Sequence, residues 1–135
     1  MEIRKKRHAT FLLNVHLIFI IKYRKKVLFD IQLKYLEELF IETLEENDCK
    51  LIEFNGELDH VHLIISYEPK HSISQIVNNL KGRSSRLLKR DFPDTAFNLG
   101  MKSSLWTRSY FAGSVGGVGL DVLKKYIENQ DRPKY

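Results

Sequence analysis

The stretch His60-Val61-His62-Leu63-Ile64-Ile65-Ser66-Tyr67 places two histidines at alternate positions ahead of an apolar, partly β-branched run. Such residues favour a strand, and alternate strand positions leave the same face. Both imidazoles therefore point one way, roughly 7 Å apart along the strand. Residues 50–57 form a second short strand-like run, separated from the first by Leu58 and Asp59. That spacing predicts a hairpin, with Gly56 falling inside its turn or just before it. The histidine pair then opens the hairpin's second strand.

On either side of this hairpin the chain alternates between strand and helix periodicity. Residues 10–22, rich in Phe, Leu, Ile and Val, read as a strand ending in the basic cluster Lys22-Tyr23-Arg24-Lys25-Lys26. Asp30 reads as the N-cap of a first helix whose apolar stripe is Leu33, Leu36, Leu39, Phe40, Thr43 and Leu44, with glutamates on the other faces. A second helix is expected over residues 72–90, striped by Ile73, Ile76, Val77, Leu80, Leu87 and Leu88 and continued by Ser84. After a looser stretch containing Pro93 and Gly100, residues 105–115 read as a fourth strand. Gly113, Gly116, Gly117 and Gly119 then interrupt regular structure before a last helix starting near Leu120. The order β-α-β-β-α-β-α, without long crossovers, predicts an α+β domain of the ferredoxin-like sandwich type. Its sheet is mostly antiparallel, its helices lie on one face, and a further C-terminal helix carries Tyr126.

A chain of 135 residues is close to the modal domain size, so a single domain over residues 1–135 is expected. The lone cysteine, Cys49, rules out an intramolecular disulfide and reads as a small packed residue. The longest apolar stretch, residues 11–21, is broken by Asn14 and His16 and falls short of the ~20 residues that span a bilayer. The basic start lacks the cleavage region of a signal peptide, so an intracellular, cytoplasmic protein without a membrane partner is expected. Charge is uneven. The net value is +5, yet residues 31–48 carry a balance of −5, leaving +10 on the remainder. A strongly basic remainder favours a polyphosphate partner, nucleic acid first. Solubility alone is the plainer account of the same charge.

The candidate chemistry pairs the histidines with Tyr126-Ile127-Glu128-Asn129-Gln130. On a helix Tyr126 and Gln130 lie about 40° apart, whereas Glu128 lies about 200° round from Tyr126. A helix crossing the histidine strand could thus join the Gln130 amide oxygen to His60 and His62 around a divalent ion, with the Tyr126 hydroxyl beside it. A weak amide ligand suits a modestly bound Mg²⁺ or Mn²⁺ that also takes substrate oxygens. Each residue has a plainer reading, since Tyr126 shares its helix with the core positions Leu120, Leu123 and Ile127.

Four segments together, His60-Val61-His62 with Leu63-Ile64-Ile65, Lys81-Gly82-Arg83-Ser84-Ser85, Leu105-Trp106 through Ser109-Tyr110-Phe111, and Tyr126 to Gln130, resemble the single-tyrosine HUH transposases of the insertion sequence 200/605 group. The resemblance extends to the early strand Val15-His16-Leu17-Ile18-Phe19 with its Lys22-Tyr23-Arg24 exit, and so covers nearly the whole chain. It implies a DNA transposase that cuts and rejoins single-stranded DNA at hairpins near element ends. The implied nucleophile is Tyr126, the implied metal ligands are His60, His62 and Gln130, and the implied intermediate is a 5′-phosphotyrosine. It further implies a homodimer in which the tyrosine helix completes the partner's site, with the glycine run as its hinge.

Lys22, Arg24, Arg83, Arg86 and Arg108 are candidate DNA contacts, because they lie near these segments or along one helix stripe. Solvated surface charge is the competing account of each. Trp106, Tyr110 and Phe111 either stack on unpaired bases or fill the core, the latter being the better account of Trp106. Three other functions fit the same residues: a domesticated single-strand endonuclease of this family, a noncatalytic single-strand nucleic-acid-binding module, and a metal-dependent phosphodiesterase that activates water.

Overall fold

The computed structural model describes residues 2–100, 102–115 and 120–129. In chain order its elements are β1 (Arg4–Lys6), β2 (Ala9–Phe11), β3 (Asn14–Ile20), a 3-10 turn (Lys22–Arg24), α1 (Asp30–Glu46), β4 (Lys50–Gly56), β5 (His60–Ser66), α2 (Ile73–Asp91), α3 (Pro93–Leu99), β6 (Phe111–Ser114) and α4 (Leu120–Glu128). Strands β3 to β6 form one sheet in the order β4-β5-β3-β6, and every neighbouring pair is antiparallel. With α1 between β3 and β4 and α2 between β5 and β6, this is the expected ferredoxin-like order.

Alternation along the two central strands divides the sheet's side chains between its faces. Val15, Leu17 and Phe19 of β3 and Val61, Leu63 and Ile65 of β5 turn toward one face. There they join Leu36, Phe40 and Leu44 of α1 and Val77, Leu80 and Leu88 of α2 in the main core. Ile18 and Ile20 turn the other way, into a second cluster with Phe111, Tyr126 and Ile127. Both isoleucines are nearly inaccessible, so residues of α4 and β6 cover this part of the second face. Burying each such side chain stabilises the fold by roughly 1.5–3 kcal/mol.

Several boundaries differ from expectation for identifiable reasons. The predicted strand over residues 10–22 is divided, its first residues pairing with Arg4–Lys6 in a separate hairpin. Its end comes at Ile20, because Tyr23 and Arg24 both adopt left-handed backbone, with φ of 61° and 52°. That conformation costs a residue with a side chain roughly 1–2 kcal/mol. Asp30 is the first helical residue rather than the cap; Phe29 holds the cap position, and its backbone N–H donates to the Gln32 side chain at 3.2 Å. Ser72 caps α2, accepting from the Gln75 backbone at 3.2 Å, while its own N–H faces the Gln75 amide oxygen at 3.5 Å. The looser stretch forms α3, with Pro93 in the first turn, where its missing N–H costs nothing. Gly56 ends β4 opposite Val61, before the turn rather than inside it. The fourth strand keeps only Phe111–Ser114 as regular ladder: residues 105–107 bond the end of β3 through an isolated antiparallel bridge between Ile21 and Trp106, with Lys22 N–H donating to the Leu105 carbonyl at 2.9 Å and Thr107 N–H to the Ile20 carbonyl at 2.8 Å, while also meeting α2. Gly116, Gly117 and Gly119 lie outside the described residues. Among those described, no helix is long and apolar enough to cross a membrane.

Candidate active site

His60 and His62 stand on the sheet face opposite α1 and α2, because they alternate with the core residues Val61 and Leu63. Their ring centroids are 4.9 Å apart, at 70° to one another. The turn before β5 supplies a carboxylate: Asp59 Oδ1 lies 2.7 Å from His60 Nδ1, and Asp59 Oδ2 accepts from Arg24 Nε at 3.3 Å. Asp59 is only 8% exposed. The hydrogen bond with His60 is the main cause holding its carboxyl below the usual carboxylate range, and Arg24 adds to it. A carboxylate at Nδ1 selects the Nδ1–H tautomer and leaves Nε2 with its lone pair free, as a metal-ligating histidine requires.

His62 lies between two other imidazoles, 4.9 Å from the His60 ring and 5.7 Å from that of His16. Burial, and then the neighbouring histidines, push its pKa down to about 4. At neutral pH it is the uncharged imidazole that a metal needs. Burial lowers the His16 pKa as well, with Glu53 opposing.

Tyr126 reaches the same sheet face from α4. Its ring lies 5.5 Å from that of Phe111 and packs on Ile18 and Ile20. Burial raises the phenol's pKa, and the Ser109 side chain partly offsets this. The hydroxyl itself is buried, and among the described residues it has no well-made hydrogen bond. One step along the helix, Ile127 joins Lys124, His16, Lys26, Asp59, His60 and His62 around a cleft of about 560 Å³. Both histidines and α4 therefore share one cleft. Gln130 lies outside the described residues, and with it the expected third ligand. Among the described residues no three His, Cys, Asp or Glu side chains form a metal cage. The two imidazoles fit a divalent ion as a pair of neutral nitrogen donors in an open cleft, needing oxygen donors from elsewhere.

The cations singled out in the sequence occupy unlike settings. Arg24 is engaged by Asp59, and the Lys22 ammonium lies over the Tyr23 ring at 5.6 Å. Arg83 is held in the helical layer by Glu42, Glu46 and Thr43 of α1, at 3.1, 3.0 and 3.1 Å. Arg86 and Arg108 are exposed and line one cleft of about 630 Å³ with Lys81, Lys89 and Ser85. Both of the inner segments noted in the sequence meet here. Trp106 Nε1 donates to Ser84 Oγ at 2.9 Å, Leu105 N–H donates to Ser85 Oγ at 3.0 Å, and Lys81 Nζ donates to the carbonyls of Thr107, Arg108 and Ser109. Burial brings the Lys81 pKa down to about 8. Trp106 is a core residue, as expected. The acid ahead of the histidine pair, Asp59, supports metal ligation in the sequence as well, but neither its bond to Arg24 nor the role of Lys81 was legible there. The three carbonyls around Lys81 carry no side-chain signature.

Known structures share this fold. A REP-associated tyrosine transposase bound to a REP hairpin shares it with a TM-score of 0.58 at 10% identity, over 93% of this chain and 68% of that one. A Deinococcus radiodurans chain crystallised as a candidate transposase superposes with a TM-score of 0.84 at 30% identity, covering 97% and 99% of the two chains. In sequence, residues 9–130 match the family described as "Transposase IS200 like", and the chain belongs to that family of enzymes. It is 32% identical over 130 residues to the ISDra2 transposase TnpA of Deinococcus radiodurans, spanning 96% of this chain and 92% of that protein. It is 26% identical over 123 residues to the transposase of insertion sequence element IS200 from Salmonella typhimurium, spanning 91% and 80%.

Proposed function

We propose that this transposase cuts and rejoins single-stranded DNA at hairpin-marked element ends, with Tyr126 as nucleophile. The observation that carries the reading is the shared cleft, where His60 and His62 from β5 meet Lys124 and Ile127 of the helix bearing Tyr126. His60, His62 and Gln130 would hold a Mg²⁺ or Mn²⁺, which when bound withdraws charge from a phosphate oxygen. The chain's own residues do the rest. The Tyr126 oxygen attacks phosphorus as its proton leaves, the bond from phosphorus to the 3′ oxygen breaks, and that oxygen departs as a 3′-hydroxyl. A 5′-phosphotyrosine results, and attack by another strand's 3′-hydroxyl reverses the exchange without ATP, because one ester replaces another. The cleft containing Arg86 and Arg108 provides cations for the DNA backbone at a distance from the chemistry.

The test incubates wild type and Tyr126→Phe with end-labelled, hairpin-bearing single-stranded DNA, in Mg²⁺ or in EDTA, followed by denaturing protein gels. A metal-dependent adduct lost in the variant supports tyrosine transesterification. Cleavage without an adduct favours a hydrolase, and binding without either favours a noncatalytic module. Assembly as a homodimer is part of the proposal. In the structure described, α4 packs on the sheet of its own chain. Mixing Tyr126→Phe with a His60→Ala, His62→Ala variant asks whether the helix is exchanged: an adduct from two inactive chains requires exchange, and none is formed if each chain completes its own site.

A further inference from the structure

The basic exit of β3 does more than leave the sheet. Segment 21–28 wraps the turn before the histidine strand: Ile21 N–H donates to the Asp59 carbonyl at 2.8 Å, and Val27 and Leu28 N–H donate to the Leu58 carbonyl at 3.1 and 2.9 Å. Within this wrap Tyr23 and Arg24 are consecutive left-handed residues. Two such residues in succession are costly and persist only where surrounding contacts impose them. Here the wrap brings the Arg24 guanidinium onto Asp59 Oδ2, while Asp59 Oδ1 faces His60 Nδ1. The carboxylate is almost fully buried, so its two oxygens are committed to these two partners rather than to bulk water.

We propose that Arg24 is a positioning residue for the candidate metal centre rather than a DNA contact: it fixes the Asp59 carboxylate, which fixes the tautomer and ring orientation of His60. This rests on the reading that His60 and His62 hold a divalent ion. Groups that orient a ligating histidine through its second nitrogen typically change metal affinity about 10–100-fold when removed. A phosphate contact needs only a reachable cation, whereas this arrangement needs an Nε–H directed at a buried oxygen.

The test compares wild type, Arg24→Gln, Arg24→Lys and Asp59→Asn by three readouts. Long-range ¹H–¹⁵N spectra of ¹⁵N-histidine-labelled protein at about pH 8, where imidazoles are neutral, report the His60 tautomer without any metal. Paramagnetic resonance gives Mn²⁺ affinity, and titration with a single-stranded oligonucleotide in EDTA gives DNA affinity. We expect a single Nδ1–H tautomer for His60 in wild type. All three variants should show mixed tautomers and about tenfold or weaker Mn²⁺ binding, with DNA affinity in EDTA unchanged for the two Arg24 variants. Arg24→Lys keeps the charge and carries the same readouts if Arg24→Gln fails to fold. Unchanged tautomer and Mn²⁺ affinity, with DNA binding lost in Arg24→Gln and retained in Arg24→Lys, would overturn the proposal. If wild type binds no Mn²⁺, the metal reading fails by itself, and the tautomer spectra still decide whether Arg24 orients His60.

Discussion

His62, set between two other imidazoles, stays uncharged because the fold resists its proton uptake. Its pKa is about 4 in the folded chain against an ordinary value of 6.5. As pH falls below 6.5 the unfolded chain therefore takes up a proton that the folded chain refuses until about 4, and stability drops across that window. In EDTA, His62→Gln should remove this component, so its melting temperature should fall less than wild type's between those pH values in a thermal titration. Asp59 acts over a lower range. Its depressed pKa gives stability that is present above the ordinary 3.8 and lost as pH falls through the folded value, so Asp59→Asn should flatten the acid limb below 3.8. Tyr126→Phe should leave stability within about 1 kcal/mol of wild type by denaturant titration, because the hydroxyl it removes has no well-made partner among the described residues. At this scale the alternation of His60 and His62 could be read directly, since period two is a property of the strand itself. The Arg24 contact could not, because left-handed backbone at two residues with side chains has no local sequence cue.

The helical layer is joined to residues 105–109 by a few polar bonds, of which the one between Trp106 and Ser84 is buried and should cost most to remove. Ser84 is inaccessible and accepts from the Trp106 indole, so Ser84→Ala strands a buried N–H and should cost about 1–3 kcal/mol by denaturant titration. Adding Trp106→Phe removes the stranded donor, so the double variant should fall short of the sum of the single effects. Arg83 joins α2 to α1 through glutamates that are more than half exposed. Arg83→Ala should therefore cost only about 0.5–1 kcal/mol, and less in high salt. The helices α1 and α2 were legible in the sequence because each carries a sustained apolar stripe. The β1–β2 hairpin and the short helix α3 were not, since each is too short to show a period. The fourth strand was legible at both ends but not as one run: residues 105–107 bridge the end of β3 while packing on α2 and the core, and regular pairing resumes only at Phe111.

Over the whole molecule, the net charge of +5 conceals a division of labour among the cations. Arg24 and Arg83 are consumed internally, while Arg86 and Arg108 line an exposed cleft. Arg86→Ala and Arg108→Ala should each weaken single-stranded DNA binding across sequences and reduce the slope of log affinity against log salt by about one, whereas Arg83→Ala should leave that slope unchanged. The sheet separates two kinds of consequence. At residues 15, 17, 19, 61, 63 and 65 its central strands face the main core, and His16, His60 and His62 face away from it. Damage to the first set removes buried packing and so costs stability, whereas on the proposed function damage to His60 or His62 leaves a folded domain without its reaction. On that reading, a descendant that gave up cutting DNA would inherit the scaffold intact, and the face carrying the histidine cleft would be free to drift toward another use.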